Sequence, residues 1–339
     1  MKHEQEFQPA GVYAGISNAE YHGGAGVSKS GLDQISKSPA HFKQAREEGY
    51  TPPTPSQRLG TLAHSYILEH DTFWKSYALP FEAPEGALDT VAEIKEYLRF
   101  LGQKIPSSAK KADLLDLVRA ADPDVYILDD ERAKYAAEVD NREIITAEEL
   151  EKLEGMRASV MAHPKAGPLL EAGSGVAELS CYWKDPETGV LCRCRPDFWR
   201  RDGVIVDLKT ARDASPKGFM KSIEGWRYYV QHAFYMDGIE AAQDQSWMTV
   251  HDEAGMPAPS AFVFVAVEPF APYAVGVYHI DPVSIEIGRR EYREDLARYA
   301  ECLETDKWPA YSDRIESISL PEWRLRQEEF EHADEGEIA

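Results

Sequence analysis

Two acids and a base stand out in the stretch CRCRPDFWRRDGVIVDLKT, residues 192–210. Asp197 follows Pro196, and Asp207 and Lys209 close an aliphatic run that otherwise reads as sheet. Residues two apart on a strand project from the same face, so Asp207 and Lys209 share one. Asp197 ends the preceding strand, which a hairpin-like arrangement lays alongside, and Glu178 can enter from the far strand of the same sheet. Two or three carboxylates and one ammonium then surround a single point at a sheet edge. Like charges gathered this way repel and are costly to bury unless a cation sits among them. A hard divalent ion with oxygen ligands, Mg²⁺ above all, is the natural occupant. Such an ion polarises a phosphodiester and acidifies water, while a neighbouring lysine offsets charge developing on the phosphorus centre.

Taken singly, each piece has a plainer reading. Asp197 can be a turn residue after proline, and a D-x-K triplet is more often a surface ion pair than a site. What favours a site is the pairing: RPD, nine intervening residues and DLK fall in register on adjacent strands.

The surrounding elements follow from periodicity and breakers. VSKSGLDQISKSPAHFKQAREEG reads as two short helices, with a capping box at Ser30–Asp33 and a Ser38-Pro39 start for the second. After the breaker TPPTPS, the stretch RLGTLAHSYILEHD forms a helix with Gly60 and His64 on one face. VAELSCYW, the turn DPETG and VLCRCRPD make a hairpin, and GVIVDLKT, aliphatic on both faces, is a central strand. A long helix over IEGWRYYVQHAFYMDGIEAA, strands SAFVFVAVE and YAVGVYHI, and a closing helix complete an α/β domain with a mixed sheet covered on both faces.

The texture changes between residues 82 and 145. Six bases oppose six acids from 88 to 122, so this piece is neutral within a chain of net charge −22. Its helix, extended link and second helix resemble the SAP-type modules that bind DNA, and an inserted surface hairpin fits equally. The expected organisation is a helical part at 1–81, this insert at 82–145, the core at 146–312 and an acidic tail at 313–339.

Hydrophobic residues at 43% and charged residues at 28% describe a soluble globular chain. No apolar run is long enough to span a bilayer, and the N-terminus lacks an apolar signal core, so a cytoplasmic location is expected. The acidic balance excludes a simple nucleic-acid coat protein but not an enzyme whose bases line one channel. Cys181, Cys192, Cys194 and Cys302 match neither a zinc nor an iron–sulfur spacing and read as buried free thiols.

Pro196-Asp197 and Asp207-Leu208-Lys209 resemble the defining motif of the PD-(D/E)xK nuclease superfamily. Gly60-Thr-Leu-Ala-His64 upstream and Gln231-His-Ala-Phe-Tyr235 downstream match the additional motifs of its RecB-like branch. YHGGAGVSKSGLDQI, LGTLAHSYILE, CYWKDPETGVLCRCRPD, DLKTA and WPAYS are similar to the catalytic domain of RecE-like exonucleases, over about residues 15–312 with 82–140 the poorest match.

The resemblance implies a restriction-endonuclease-like core and a role for each matching position. His64, Asp197, Asp207 and the Leu208 carbonyl would hold Mg²⁺, which Mn²⁺ could replace, with Glu178 as an acidic helper and no zinc or iron–sulfur cluster. Lys209 would be the catalytic lysine, and Gln231 and Tyr235 would position it or the DNA backbone. Ser28, Lys29 and Ser30 at a helix start form a candidate anion site, although plain capping explains them too. Arg193 and Arg195, and Lys110 and Lys111 in the insert, are candidate phosphate contacts. The implied activity is 5′-to-3′ degradation of linear duplex DNA by a ring-shaped homo-oligomer. It would leave 3′ overhangs for a strand-annealing partner in a bacterial, prophage-borne system. An endonuclease, a single-strand nuclease and a catalytically inactive DNA-binding protein are the alternatives.

Overall fold

The computed structural model describes residues 9–49, 52–246, 255–322 and 324–326; most of the acidic tail expected at 313–339 lies outside them. The described chain opens with β1 (Gly11–Tyr13) and α1 (Asn18–Gly23). Next come α2 (Lys29–Lys37), α3 (Pro39–Glu48) and α4 (Pro55–Leu68). Ser28, Ser38 and Thr54 cap these helices with their hydroxyls, and α3 and α4 carry proline in their first turn, where no N–H is missed. The cap of α2 is therefore Ser28, accepting from Gly31 N, rather than Ser30.

After α5 (His70–Ser76), the two-residue β2 (Tyr77–Ala78) pairs in parallel with β3 (Glu143–Ile144). The segment between them leaves and returns at one point. It contains α6 (Val91–Phe100), α7 (Lys111–Ala121) and α8 (Leu128–Val139), the last absent from the sequence reading. Ile94, Leu98, Leu114, Val118 and Ile127 give it a small core of its own.

The remainder holds α9 (Ala147–Ala162), α10 (Ala166–Leu169), β4 (Gly175–Ala177), β5 (Ser180–Lys184), β6 (Leu191–Cys194), β7 (Phe198–Arg200) and β8 (Val204–Thr210). Then follow α11 (Pro216–Gly225), α12 (Tyr228–Ser246), β9 (Ala261–Val267), β10 (Val275–Tyr278) and α13 (Pro282–Thr305). The single long helix expected over 223–242 is broken at Trp226–Arg227, where Arg227 has φ 52°.

A five-stranded sheet runs β10-β9-β8-β7-β4, with β8 and β9 parallel and the other pairs antiparallel. β8 is central, as its two-sided apolar pattern requires. Ile205 faces one core with Phe234, Phe262 and Phe264, while Val206 and Leu208 face the other with Leu62, Leu153 and Met156. Each such buried aliphatic contributes roughly 1.5–3 kcal/mol, so β8 is held firmly from both sides. Helices therefore cover both faces of a mixed sheet.

The hairpin differs from expectation in one decisive way. Its outer halves, β5 and β6, belong to a separate three-stranded sheet with β1, and its inner halves, β4 and β7, join the five-stranded one. Both arms change sheet at the same level, where Glu178 N donates to Asp197 O at 3.1 Å. Glu178 takes the left-handed conformation there, φ 55°, which is uncommon for a residue with a side chain. All four cysteines are buried free thiols, three of them on β5 and β6.

Candidate active site

The double bend fixes two acids at the top of the large sheet. The β7–β8 register pairs Phe198 with Val206, so Asp197 stands opposite Asp207. Leu208 N–H donates to Asp197 Oδ2 at 2.7 Å, locking that carboxylate across the strand ends. His64 comes from α4 on the opposite layer. Gly60, one turn earlier, passes β8 so closely that an added Cβ would already touch Thr210 Oγ1 at 3.4 Å. This approach brings the His64 Nε2–H to the Leu208 carbonyl, 2.6 Å, and Nε2 to 3.7 Å from Asp197 Oδ2.

One donor atom each from His64, Glu178 and Asp197 lie within 4.8 Å of one another. An imidazole and two carboxylates at that spacing, beside the Leu208 carbonyl, form a donor set suited to a hard divalent cation. The electrostatics agree. Burial, reinforced by Asp197 and opposed by Arg195, pushes the Glu178 carboxyl up to about 8. Burial also pushes fully buried Asp207 up to about 6, with Lys209 opposing and Asp197 adding. Acids raised in this way are short of positive charge, which an ion would supply.

Asp207 and Lys209 form a direct ion pair on the α12 face of β8. Gln231, 6% exposed on α12, donates its Nε2–H to Asp207 Oδ2 at 2.5 Å and fixes the carboxylate from the other side. Burial disfavours the Lys209 charge, but Asp207 and Asp197 outweigh it and hold the ammonium protonated above the ordinary lysine range. Lys209 Nζ also lies 4.9 Å from the centre of the Tyr228 ring, an attractive cation–π placement. Tyr228 was missed in the sequence, although it sits three residues before Gln231 on the same helix, a spacing that shares a face. Half-buried Tyr235, one turn beyond Gln231, senses both Asp207 and Asp197, and burial raises its hydroxyl well above the usual tyrosine range.

A family model described as a PDDEXK-like domain of unknown function, DUF3799, matches residues 28–321. The chain belongs to this family. No curated protein matches it in sequence. In structure, this PDDEXK-like chain is similar to a protein from Eubacterium rectale described as a candidate exonuclease. The two share 11% identity with a TM-score of 0.48, over 92% of this chain and 98% of the other.

The remaining residues singled out in the sequence fall elsewhere. Arg193 and Arg195 are 5% and 7% exposed and turned inward. Arg193 donates to the carbonyls of His22, Gly24 and Ala25, and Arg195 to Ser180, Asn18 and Ile16. Both stack over Tyr21 and so strap the N-terminal segment onto β5 and β6. Alternating residues of a half-buried strand look alike whether they face DNA or a packed segment, which is why the sequence did not separate the two.

Ser28 and Ser30 hydroxyls lie 3.0 Å apart at the start of α2. Lys29 turns to Asp33 at 2.7 Å and to Trp226 O, close enough to the site to feel Lys209. In the insert, Lys111 is tied to Asp129 and Asp89, whereas Lys110 is exposed.

Proposed function

We propose that this PDDEXK-like chain is a Mg²⁺-dependent exodeoxyribonuclease of the RecE-like kind. In this reading it hydrolyses linear duplex DNA from the 5′ end and leaves 3′ overhangs for a strand-annealing partner. The observation that carries it is the convergence of His64, Glu178 and Asp197 beside the Asp207–Lys209 ion pair. His64, Asp197, Asp207 and the Leu208 carbonyl would hold the ion, with Glu178 assisting, and Mn²⁺ could take its place. The ion supplies Lewis-acid polarisation of the phosphodiester and acidifies water. Lys209, held protonated, stabilises charge developing on the phosphate oxygens. Gln231 keeps the Asp207 carboxylate in one orientation, Tyr228 supports the lysine from beneath, and Tyr235 borders the substrate backbone. Ser28 and Ser30 offer hydroxyls to a neighbouring phosphate, beside the Lys29 ammonium that Asp33 holds. A cytoplasmic location and a ring-shaped homo-oligomer, in which few bases converge on one channel, complete the reading.

The test is digestion of linear duplex DNA labelled at either the 5′ or the 3′ end, with Mg²⁺, against closed-circular DNA and the Asp207→Ala variant. Early release of the 5′ label, intact circles and a silent variant support the proposal. Cut circles would make the chain an endonuclease, and full activity in Asp207→Ala would remove the site assignment.

A further inference from the structure

Within a chain of net charge −22, residues 95–111 carry five bases and a single acid, Glu96. Lys111 is committed to Asp129 and Asp89, and Arg119 and Lys134 further along are likewise paired. Lys95, Arg99, Lys104 and Lys110 form no ion pair among the described residues, and the last three are exposed. Lys95 and Arg99 are one turn apart on α6 and share a face. Phe100 follows at the end of that helix, 82% exposed. The link beyond it, GQKIPSSAKK, is basic, small and hydroxyl-bearing without one acid. The segment's own core uses Ile94, Leu98, Leu114 and Val118, so neither Phe100 nor the four bases are needed to fold it.

An exposed aromatic ring flanked by uncommitted cations is the composition that holds a nucleic-acid strand: cations neutralise phosphates and the ring stacks on an unpaired base. A protein partner of acidic surface would satisfy the cations but not the bare ring. We propose that the 95–111 stretch of the insert binds single-stranded DNA, with Phe100 stacking on a base and Lys95, Arg99, Lys104 and Lys110 contacting the backbone. The identity of the nucleic acid rests on the nuclease reading; the surface itself does not. Lys111, a candidate in the sequence, drops out because its ammonium is already neutralised.

The experiment is fluorescence anisotropy of the full chain in EDTA, with a thymidine oligonucleotide and a blunt duplex, across a salt series. Replacing the four bases by glutamine should weaken oligonucleotide binding at least about tenfold. It should also reduce the salt slope by about 3, near 0.7 per lost phosphate contact on a single strand. Phe100→Ala, at a position outside the segment's buried core, should weaken the oligonucleotide about 5- to 100-fold and leave the duplex unchanged. Thermal melting of each variant confirms the fold. Unchanged affinity and slope in the four-base variant overturn the proposal, as does Phe100→Ala with no selective effect on the oligonucleotide. A wild-type chain that binds but fails to cleave with Mg²⁺ overturns the nuclease reading and leaves this one standing.

Discussion

The Leu208 N–H and the Asp197 carboxylate, 2.7 Å apart, join the two strand ends on which the site is built. One Asp197 oxygen thus has a structural duty, and its charge faces His64 and Glu178. The two duties separate by substitution. Asp197→Asn keeps an acceptor for Leu208 and should melt within a few degrees of the wild type while losing Mn²⁺ binding and hydrolysis. Asp197→Ala should lose a further ~1–2 kcal/mol, the cost of a buried N–H left unpaired. Calorimetric metal titration and denaturant melts of both variants check this; equal stability in the two would break the assignment.

Lys209→Ala should lower single-turnover cleavage at saturating metal by about 10²–10³-fold, the usual loss when one charge-stabilising donor is removed. Metal affinity should hold or rise, because Asp207 loses the cation that now neutralises it. A variant that loses the metal but retains its rate when metal is saturating would place Lys209 outside the reaction.

Proton and metal compete at the raised acids. Below about 8 Glu178 holds a proton that an incoming ion must displace. Mn²⁺ affinity should therefore climb between pH 6 and 8, by up to about tenfold per unit for one displaced proton. Because the folded value lies above the unfolded one, the metal-free protein loses this group's stabilisation as pH rises through it. Glu178→Gln should flatten the affinity profile; a profile as steep as the wild type's would move the titration to another residue.

Glu178 pairs its chemistry with a left-handed backbone, φ 55°. Glu178→Gly and Glu178→Gln both delete the carboxylate, but only glycine relieves the backbone, by about 1 kcal/mol. The glycine variant should melt higher than the glutamine variant while both bind metal poorly. Identical melting would show that the bend carries no strain.

His232 directly follows Gln231 on α12 and is stacked on Phe262 at 5.0 Å, its buried Nδ1 without a hydrogen-bond partner among the described residues. Burial, with Arg289 adding, pulls its imidazole down to about 4. The unfolded chain binds this proton near 6.5, so the stabilisation is complete above that value. It is lost as pH falls towards 4, on the order of 2–3 kcal/mol in all. His232→Phe should flatten that part of the stability–pH curve, and chemical denaturation at pH 7 and pH 4.5 measures it.

Much of the site was legible because strand alternation and turn chemistry are local. Asp197, Asp207 and Lys209 stand where a hairpin feeding a central strand places them, and the Gly60–His64 spacing reads directly as one helix face against β8. The bend was not legible. VAELSCYW and VLCRCRPD alternate without interruption, and the break comes from tertiary demand: two sheets share one hairpin, and Glu178 accepts a left-handed backbone to allow it. Arg227 breaks the expected long helix for a similar reason. Its guanidinium is gathered by Asp33 on α2 and by Glu291 and Asp295 on α13, all far from Arg227 in sequence. Arg193 and Arg195 show the same limit, since nothing local distinguishes a strap from a phosphate contact.

The pairing of Tyr77–Ala78 with Glu143–Ile144 also bears on how such a chain can change over generations. Entry and exit of the segment lie one strand spacing apart, about 5 Å, so the rest of the fold sees only a short gap to be bridged. Removing, lengthening or exchanging the segment imposes little additional closure entropy on the remainder. The junction is a graft point, at which the frame can acquire different attachments without any strand of its large sheet being recut.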